Sequence, residues 1–399
     1  MGPGSMLTCH VVNLQPHLGG AEVYTMSFAR AVKAAGCRVV LHVKPSADFW
    51  AHLASEGIEL SRVSIDAGLP DSLPGGSWIV TQAPVSEGFV ARAVARHWLT
   101  GFCHMPLAGR RAGLLARYHL VYAVSAYVAS TMDGAGLRSR YPEPLYGIAE
   151  FSRGQEAEPQ PVLARSPYAW DRRKWRDRAM SMLAPFAALA ARQRVFAPRP
   201  GCVVLGIVSN IGPIKQFDIL FRLIAPIIAA RPEVTLEIFG SGGYRSVANL
   251  KEALAPLGER ARFWGEQPRP TDIYPQLDFL MSGLPEKEAL GLNILEAQVQ
   301  GVPVLAVDAP PFSETVCDGV TGYLYPDPRT DQGAGFRRVF ERALAQPAPD
   351  RGAAGRHLEK FSRASFERRI ARLVDDAAAH VRRAVMPGYG TPSKPAVEC

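Results

Sequence analysis

The chain has 399 residues, of which 47% are apolar and 21% charged, and a formal net charge of +8. That length exceeds one ordinary core and predicts two domains of roughly 150 to 200 residues each. No apolar run approaches the roughly 20 residues needed to span a bilayer, and residues 7–14, interrupted by His10 and Asn13, do not read as a signal peptide. Met1–Ser5 (MGPGS) reads as an expression remnant and is set aside. The six cysteines have no close pair and read as reduced thiols of a cytoplasmic protein. The nine histidines show no paired spacing on a helix, so no structural zinc is expected.

In chain order, residues 7–14 (LTCHVVNL) read as a strand, 21–35 as a helix, 38–43 as a strand and 58–63 as a shorter strand. Strands over 78–82, 98–103 and 120–124 follow, each separated by enough chain for a crossover helix. This alternation predicts an α/β domain over 6–150, with a parallel sheet covered on both faces. Residues 151–200 break the pattern with GQEAEPQP, YAWDRRKWRDRAM and ARQRVFAPRPG, and read as a basic linker or insertion. A second α/β domain is predicted over 201–361. It has strands at 203–209, 234–239, 261–264, 279–282 and 303–307, and helices at 217–230, 247–257 and 292–300. Residues 366–381 place Phe366, Ile370, Leu373, Val374, Ala377 and Val381 on one helical face, which must pack on something. Residues 386–399 read as a flexible tail.

Two doubly wound domains direct the search for a ligand site to the carboxyl ends of their strands. The strongest stretch is PEKEALGLNILEAQVQGVP, residues 285–303. Leu292, Leu295 and Val299 recur at helical spacing after Gly291, so that glycine opens a helix. Its unpaired N–H groups and positive dipole end suit phosphate. Glu288 falls in the preceding loop and Glu296 inside the helix, an arrangement fit for a ligand with both phosphates and hydroxyls. An ordinary amphipathic helix with two exposed glutamates is the plainer alternative. In the first half, Gly19 and Gly20 follow the first strand and open the first helix. Paired glycines there let backbone approach a diphosphate, or simply make a tight turn. Glu22 complements that helix N-terminus. His104 ends WLTGFCH, and a lone histidine there is as readily structural as functional.

The run E-x-x-G-L-x-x-L-E-A from Glu288, followed by G-V-P-V between predicted strands, closely resembles the retaining glycosyltransferases of the "glycosyl transferase group 1" family with the GT-B fold. IFGSGG at 238–243, RFWGE at 262–266 and DGVTGYLYP from Asp318 fit the same resemblance. It implies two doubly wound Rossmann-like domains facing each other across a cleft, with the helix at about 362–385 packing back on the first domain. The resemblance gives Glu288 the donor-sugar hydroxyls, Glu296 the nucleotide ribose, and the backbone at Gly291 and Leu292 the diphosphate or sugar. SNIGPIKQFDIL (209–220) aligns with the family's phosphate loop. Lys215 falls on its lysine, a counter-charge for a leaving diphosphate, whereas Asn210 stands where arginine is usual and Gln216 where glycine is usual. Gly240 is implied to lie near the nucleotide, although a simple turn accounts for it equally. Gly19 and Gly20 are placed over the donor phosphates, and His104 is placed facing the donor sugar.

The implied reaction is retaining transfer of a sugar from a nucleotide-diphosphate sugar to a hydroxyl, in cell-envelope polysaccharide or glycolipid synthesis, without metal or other cofactor. A carbohydrate or lipid-linked carbohydrate is the expected acceptor. A nucleotide-sugar epimerase of the same fold and a non-catalytic sugar- or nucleotide-binding protein are the competing readings. Residues 165–199 carry nine Lys or Arg against Asp171 and Asp177. This patch suits peripheral contact with anionic membrane, at its cytoplasmic inner face, or else is a solvated helical face. Basic and aromatic residues interleave little elsewhere, so nucleic acid is not an expected partner.

Overall fold

The computed structural model describes residues 6–110, 112–148, 160–170, 175, 177–180, 182, 194–346 and 351–385. The chain divides into two compact units, Met1–Gly147 with Arg363–Cys399, and Ile148–Ser362. In the first unit lie β1 (Thr8–Asn13), β2 (Arg38–Val43), β3 (Glu59–Arg62), β4 (Trp78–Thr81), β5 (Trp98–Cys103) and β6 (Leu120–Ala123). All pairs are parallel, in the order β3-β2-β1-β4-β5-β6. The central strands are apolar on both faces, with Val11, Val12, Leu41, Ile79, Val80 and Leu99 fully buried, as a sheet sandwiched between helices requires. The order reverses direction between β1 and β4, so the loops leaving these two strands diverge and open a crevice at their carboxyl ends.

The helix Arg363–Val385 belongs to this unit. Phe366, Ile370, Leu373, Val374, Ala377 and Val381 are buried along one face. Phe366 meets Tyr24 edge to face at 5.6 Å, and His380 stacks on Trp98 at 4.5 Å. Six buried apolar side chains, at about 1.5–3 kcal/mol for each large one, make this helix part of the unit's core.

A buried histidine pair crosses β1 and β2, with His10 Nδ1 3.1 Å from His42 Nε2. Burial, and then neighbouring positive charge, holds both imidazoles down to about 4. Among the described residues, His42 Nδ1 has no hydrogen-bond partner, so a proton arriving there finds no acceptor. Because the folded values lie below the unfolded value of about 6.5, the unfolded chain binds protons first as pH falls. Stability is therefore expected to be level above about pH 6.5 and to decline from there toward pH 4, by about 3 kcal/mol for the first imidazole. Urea unfolding across that range checks this, and a midpoint that stays constant down to about pH 4.5 contradicts it.

The second unit holds β7 (Val203–Val208), β8 (Val234–Phe239), β9 (Ala261–Gly265), β10 (Phe279–Met281), β11 (Val304–Val307) and β12 (Gly322–Tyr325). They pair in parallel in the order β12-β11-β10-β7-β8-β9, the same winding as the first sheet. β7 shows how both faces are filled. Leu205 and Ile207 pack with Phe217 and Phe221, whereas Val204 and Val208 pack with Trp264 and Ile294. β12 is a strand that the sequence reading did not separate. The helix predicted over 247–257 instead spans Tyr244–Ala253, and a 3-10 turn continues to Arg260 across Gly258 at φ 54°.

Part of the segment read as a linker is tied to this second sheet. Arg165 N–H donates to the Trp264 carbonyl at 2.8 Å, Gly242 N–H to Pro167 at 3.0 Å, and Ala169 N–H to Gly242 at 2.8 Å. Arg172, Arg173 and Lys174 of the basic patch, and the tail 386–399, lie outside the described residues. Among the described residues, no helix is long and apolar enough to cross a membrane.

Candidate functional site

In the second sheet the winding reverses between β7 and β10, and the loops leaving these strands are residues 209–216 and 282–291. They are locked together by backbone, since Leu284 N–H donates to the Lys215 carbonyl at 3.0 Å. Asn293 Nδ2 ties the start of the next helix to β7 through the Val208 carbonyl at 3.1 Å. The frame brings Lys215 from one loop against Glu288 from the other in a close ion pair. The two side chains are 23% and 15% exposed, so the pair is partly withdrawn from water yet reachable.

The second oxygen of Glu288 accepts N–H groups of Ala289 and Gly291, each at 3.2 Å. Glu288 thus already uses the Gly291 N–H. The first-turn N–H groups of Leu292 and Asn293 remain as donors that an arriving anion can take. Gly291 caps the helix Leu292–Val299 at φ 82° and ψ 62°, a left-handed conformation that glycine adopts without steric cost. Glu296 projects from that helix and accepts the Tyr274 hydroxyl at 2.8 Å. Burial raises its carboxyl above the usual range, against the opposing pull of the Tyr274 hydrogen bond and the Lys215 charge. Lys215 is therefore within electrostatic reach of both glutamates.

Two further residues of this end of the sheet explain themselves by packing. Gln216 adopts φ 52°, the left-handed region that makes glycine the usual residue here, at a cost of about 1–2 kcal/mol. Its Nε2 donates to Glu286 Oε2 at 3.1 Å, and Glu286 also pairs with Arg329. Gly240, which follows β8, has its α-carbon so close to β7's loop that a Cβ there would lie 1.8 Å from the Ser209 carbonyl oxygen. That contact accounts for a glycine without any ligand. Asn210 is exposed on the same loop as Lys215, and its side chain lies over Gly212. Lys215, Glu288, Gly291, Leu292 and Glu296 are brought together in this way, with Asn210 and Gly240 on adjoining backbone.

Gly19, Gly20 and His104 belong to the first unit. Gly19 is the N-cap of the helix Gly20–Ala34 and offers it no side-chain cap. The buried carboxylate of Glu22 lies against Gly19, and Asn13 holds it with an Nδ2 hydrogen bond at 3.3 Å. His104 follows β5, with Nε2 2.8 Å from Gln82 Oε1. Its ring stacks on Phe102 at 5.6 Å and meets the edge of Tyr24 at 5.1 Å. Burial holds it down to about 4, so at neutral pH it is an uncharged imidazole with one N–H donor and one acceptor nitrogen. Asn13, Gln82 and Tyr274 are supporting residues that the sequence reading did not single out. Each acts on a partner 9 to 22 positions away, and only the folded sheet shows the pairing.

Residues 202–335 match the family model described as glycosyl transferases group 1. The chain is 32% identical over 172 residues to a D-inositol 3-phosphate glycosyltransferase of Rhodococcus erythropolis, covering 41% of this chain and 39% of that protein. It is 29% identical over 288 residues to the Salinispora tropica protein of the same description, covering 66% and 53%. The chain thus spans between about two fifths and one half of the length of these curated relatives. Among solved structures, Anabaena Alr3699/HepE in complex with UDP-glucose superposes with a TM-score of 0.66 at 18% identity, covering 93% of this chain and 100% of that one. A glycosyltransferase from Rickettsia africae superposes with a TM-score of 0.66 at 13% identity, covering 94% and 99%.

Proposed function

We propose, for a chain whose residues 202–335 match the family model of the glycosyl transferases group 1 and whose fold is GT-B, that it transfers a sugar from a nucleotide-diphosphate donor to a hydroxyl acceptor. The observation that carries this reading is the convergence of Lys215, Glu288 and the opening of the helix Leu292–Val299 at the switch point of the second sheet. In the proposal, the diphosphate takes the first-turn N–H groups and the Lys215 ammonium, which stabilise the charge that develops as the bond to the sugar breaks. Glu288 turns to the donor-sugar hydroxyls and Glu296 to the ribose.

The transfer proceeds with retention, by attack on the face the diphosphate leaves, and a departing phosphate oxygen takes the acceptor's proton. The positive charge of Lys215 and the helix end serves where other enzymes use a metal, so activity is expected to be the same in excess EDTA. The solved structure of the Anabaena protein with UDP-glucose supports a nucleotide sugar as donor.

For the acceptor, the role first read from sequence is a carbohydrate or lipid-linked carbohydrate of the cell envelope, handled at the cytoplasmic membrane face with the help of residues 165–199. The descriptions of the curated relatives favour a second reading, a small phosphorylated polyol. Product formation with inositol phosphate and none with lipid-linked glycan decides for the second.

A thermal-shift panel of UDP, GDP, ADP and CMP tests the donor reading. The correct nucleotide at about 100 times its dissociation constant is expected to stabilise the protein by roughly 2.7 kcal/mol. If none of the four moves the midpoint, the donor reading falls. Turnover of a nucleotide sugar with no acceptor present would favour an epimerase instead.

A further inference from the structure

A cavity of about 360 Å³ in the second unit is lined by neither Lys215, Glu288 nor Glu296, although it takes in their sequence neighbours Gln216 and Lys287. It lies between the first turns of the helices Phe217–Ala229 and Tyr244–Ala253. Phe217 and Leu250 are buried and give it an apolar floor. Arg245 and Lys287 are exposed at its wall. Among the described residues, neither side chain has an ion-pair or hydrogen-bond partner. The one carboxylate in the lining, Asp218, accepts Asn249 Nδ2 at 3.4 Å. Both helices start without a side-chain cap, at Gln216 and Gly243, so the positive ends of two helix dipoles add to the two cations.

We infer that this cavity is a second anion site, separate from the Lys215–Glu288 pair, and that it takes the phosphate or carboxylate of a sugar-sized ligand. The charge balance sets the sign of the ligand: two unpaired cations outweigh one carboxylate that is already hydrogen-bonded. The volume sets its size, at the lower end of the range for small-molecule sites of about 300–1,000 Å³. The floor sets its shape, because a pyranose ring presents apolar C–H faces that Phe217 and Leu250 can cover while its charged substituent meets Arg245 and Lys287. This inference does not rest on the sugar-transfer reading, since it would hold for any protein presenting these groups.

Calorimetric titration with glucose 6-phosphate and with inorganic phosphate tests it on the full chain. The wild type is expected to bind glucose 6-phosphate more tightly than phosphate. The double variant Arg245→Gln with Lys287→Gln should weaken binding roughly tenfold or more, as loss of charge-assisted hydrogen bonds implies. Both side chains are exposed, so an unchanged thermal midpoint will confirm that the variant folds. Asp218→Asn should act in the opposite direction, tightening binding by about threefold. Lys215→Ala should leave the affinity as it is. Absence of binding in the wild type, wild-type affinity in the double variant, or loss of binding in Lys215→Ala would each overturn the inference. The last result would move the anion to the paired site.

Discussion

Replacing Glu288 by alanine is expected to lower the rate of sugar transfer by roughly 10²- to 10³-fold, about 2.7–4 kcal/mol of transition-state stabilisation. The structure gives the carboxylate two simultaneous duties, one oxygen on Lys215 and the other on the N–H groups of Ala289 and Gly291. In the free protein it therefore stands in for an anion at the positive mouth of the helix Leu292–Val299. In the proposed reaction, a diphosphate that takes Lys215 and the first-turn donors would release the carboxylate to accept sugar hydroxyls. Lys215→Ala should cost a similar factor through the leaving group. The double variant should lose little more than either single one, because the two residues act as a unit and their effects do not add. Steady-state kinetics with the nucleotide sugar that passes the thermal-shift panel provides the readout. Full transfer activity in Glu288→Ala would rule out this assignment, and strictly additive losses would show that the two side chains work independently. Each single variant also leaves a partly buried charge without its partner, so the unfolding midpoint should be followed alongside the rate.

How much of this was legible beforehand depended on whether the information was local. β2, β5 and β8 occupy the predicted residues, because each is a short, mostly apolar run bounded by polar or turn residues and buried on both faces. Gly291 was readable as the start of a helix because its left-handed φ and the Leu292, Leu295, Val299 spacing are properties of adjacent residues. β12 escaped because its short run Gly322–Tyr325 is defined by its register with β11 rather than by its own pattern. The same limit applied at the site. Sequence spacing placed Glu288 and Glu296 about one helix, but it carried no sign that a lysine 73 positions earlier would pair with Glu288. Nor did it show that Tyr274 would donate to Glu296, or that Gln82 would meet His104. These partners meet because parallel strands return their carboxyl ends to one edge of the sheet, a consequence of topology that no short window contains.

Gly240→Ala is expected to be among the most damaging single substitutions in the second unit, costing about 3 kcal/mol or more. Beyond the last residues of β7 and β8 the two chains continue side by side: Ser209 N–H donates to Phe239 at 3.0 Å and Ile211 N–H to Ser241 at 2.9 Å, while Gly240 N–H turns away to Gly265 at 2.8 Å. At that crossing Gly240 has φ 149°, and an added Cβ would fall 1.8 Å from the Ser209 carbonyl oxygen and 2.8 Å from its carbon. The obstacle is backbone, so no rotamer change relieves it, and the loop must separate from the end of β8. That loop carries Asn210 and Lys215, so the substitution should also diminish the nucleotide-induced thermal shift in whatever fraction remains folded. Gly243→Ala is the matched control, because Gly243 has φ −61° and nothing lies within 4 Å of an added Cβ. It should cost less than about 1 kcal/mol. Urea unfolding of the two variants separates steric necessity from mere proximity to the site. A Gly240→Ala protein as stable as the wild type, with its nucleotide shift lost, would mean that the two loops can part at little cost and that the ligand alone requires glycine there.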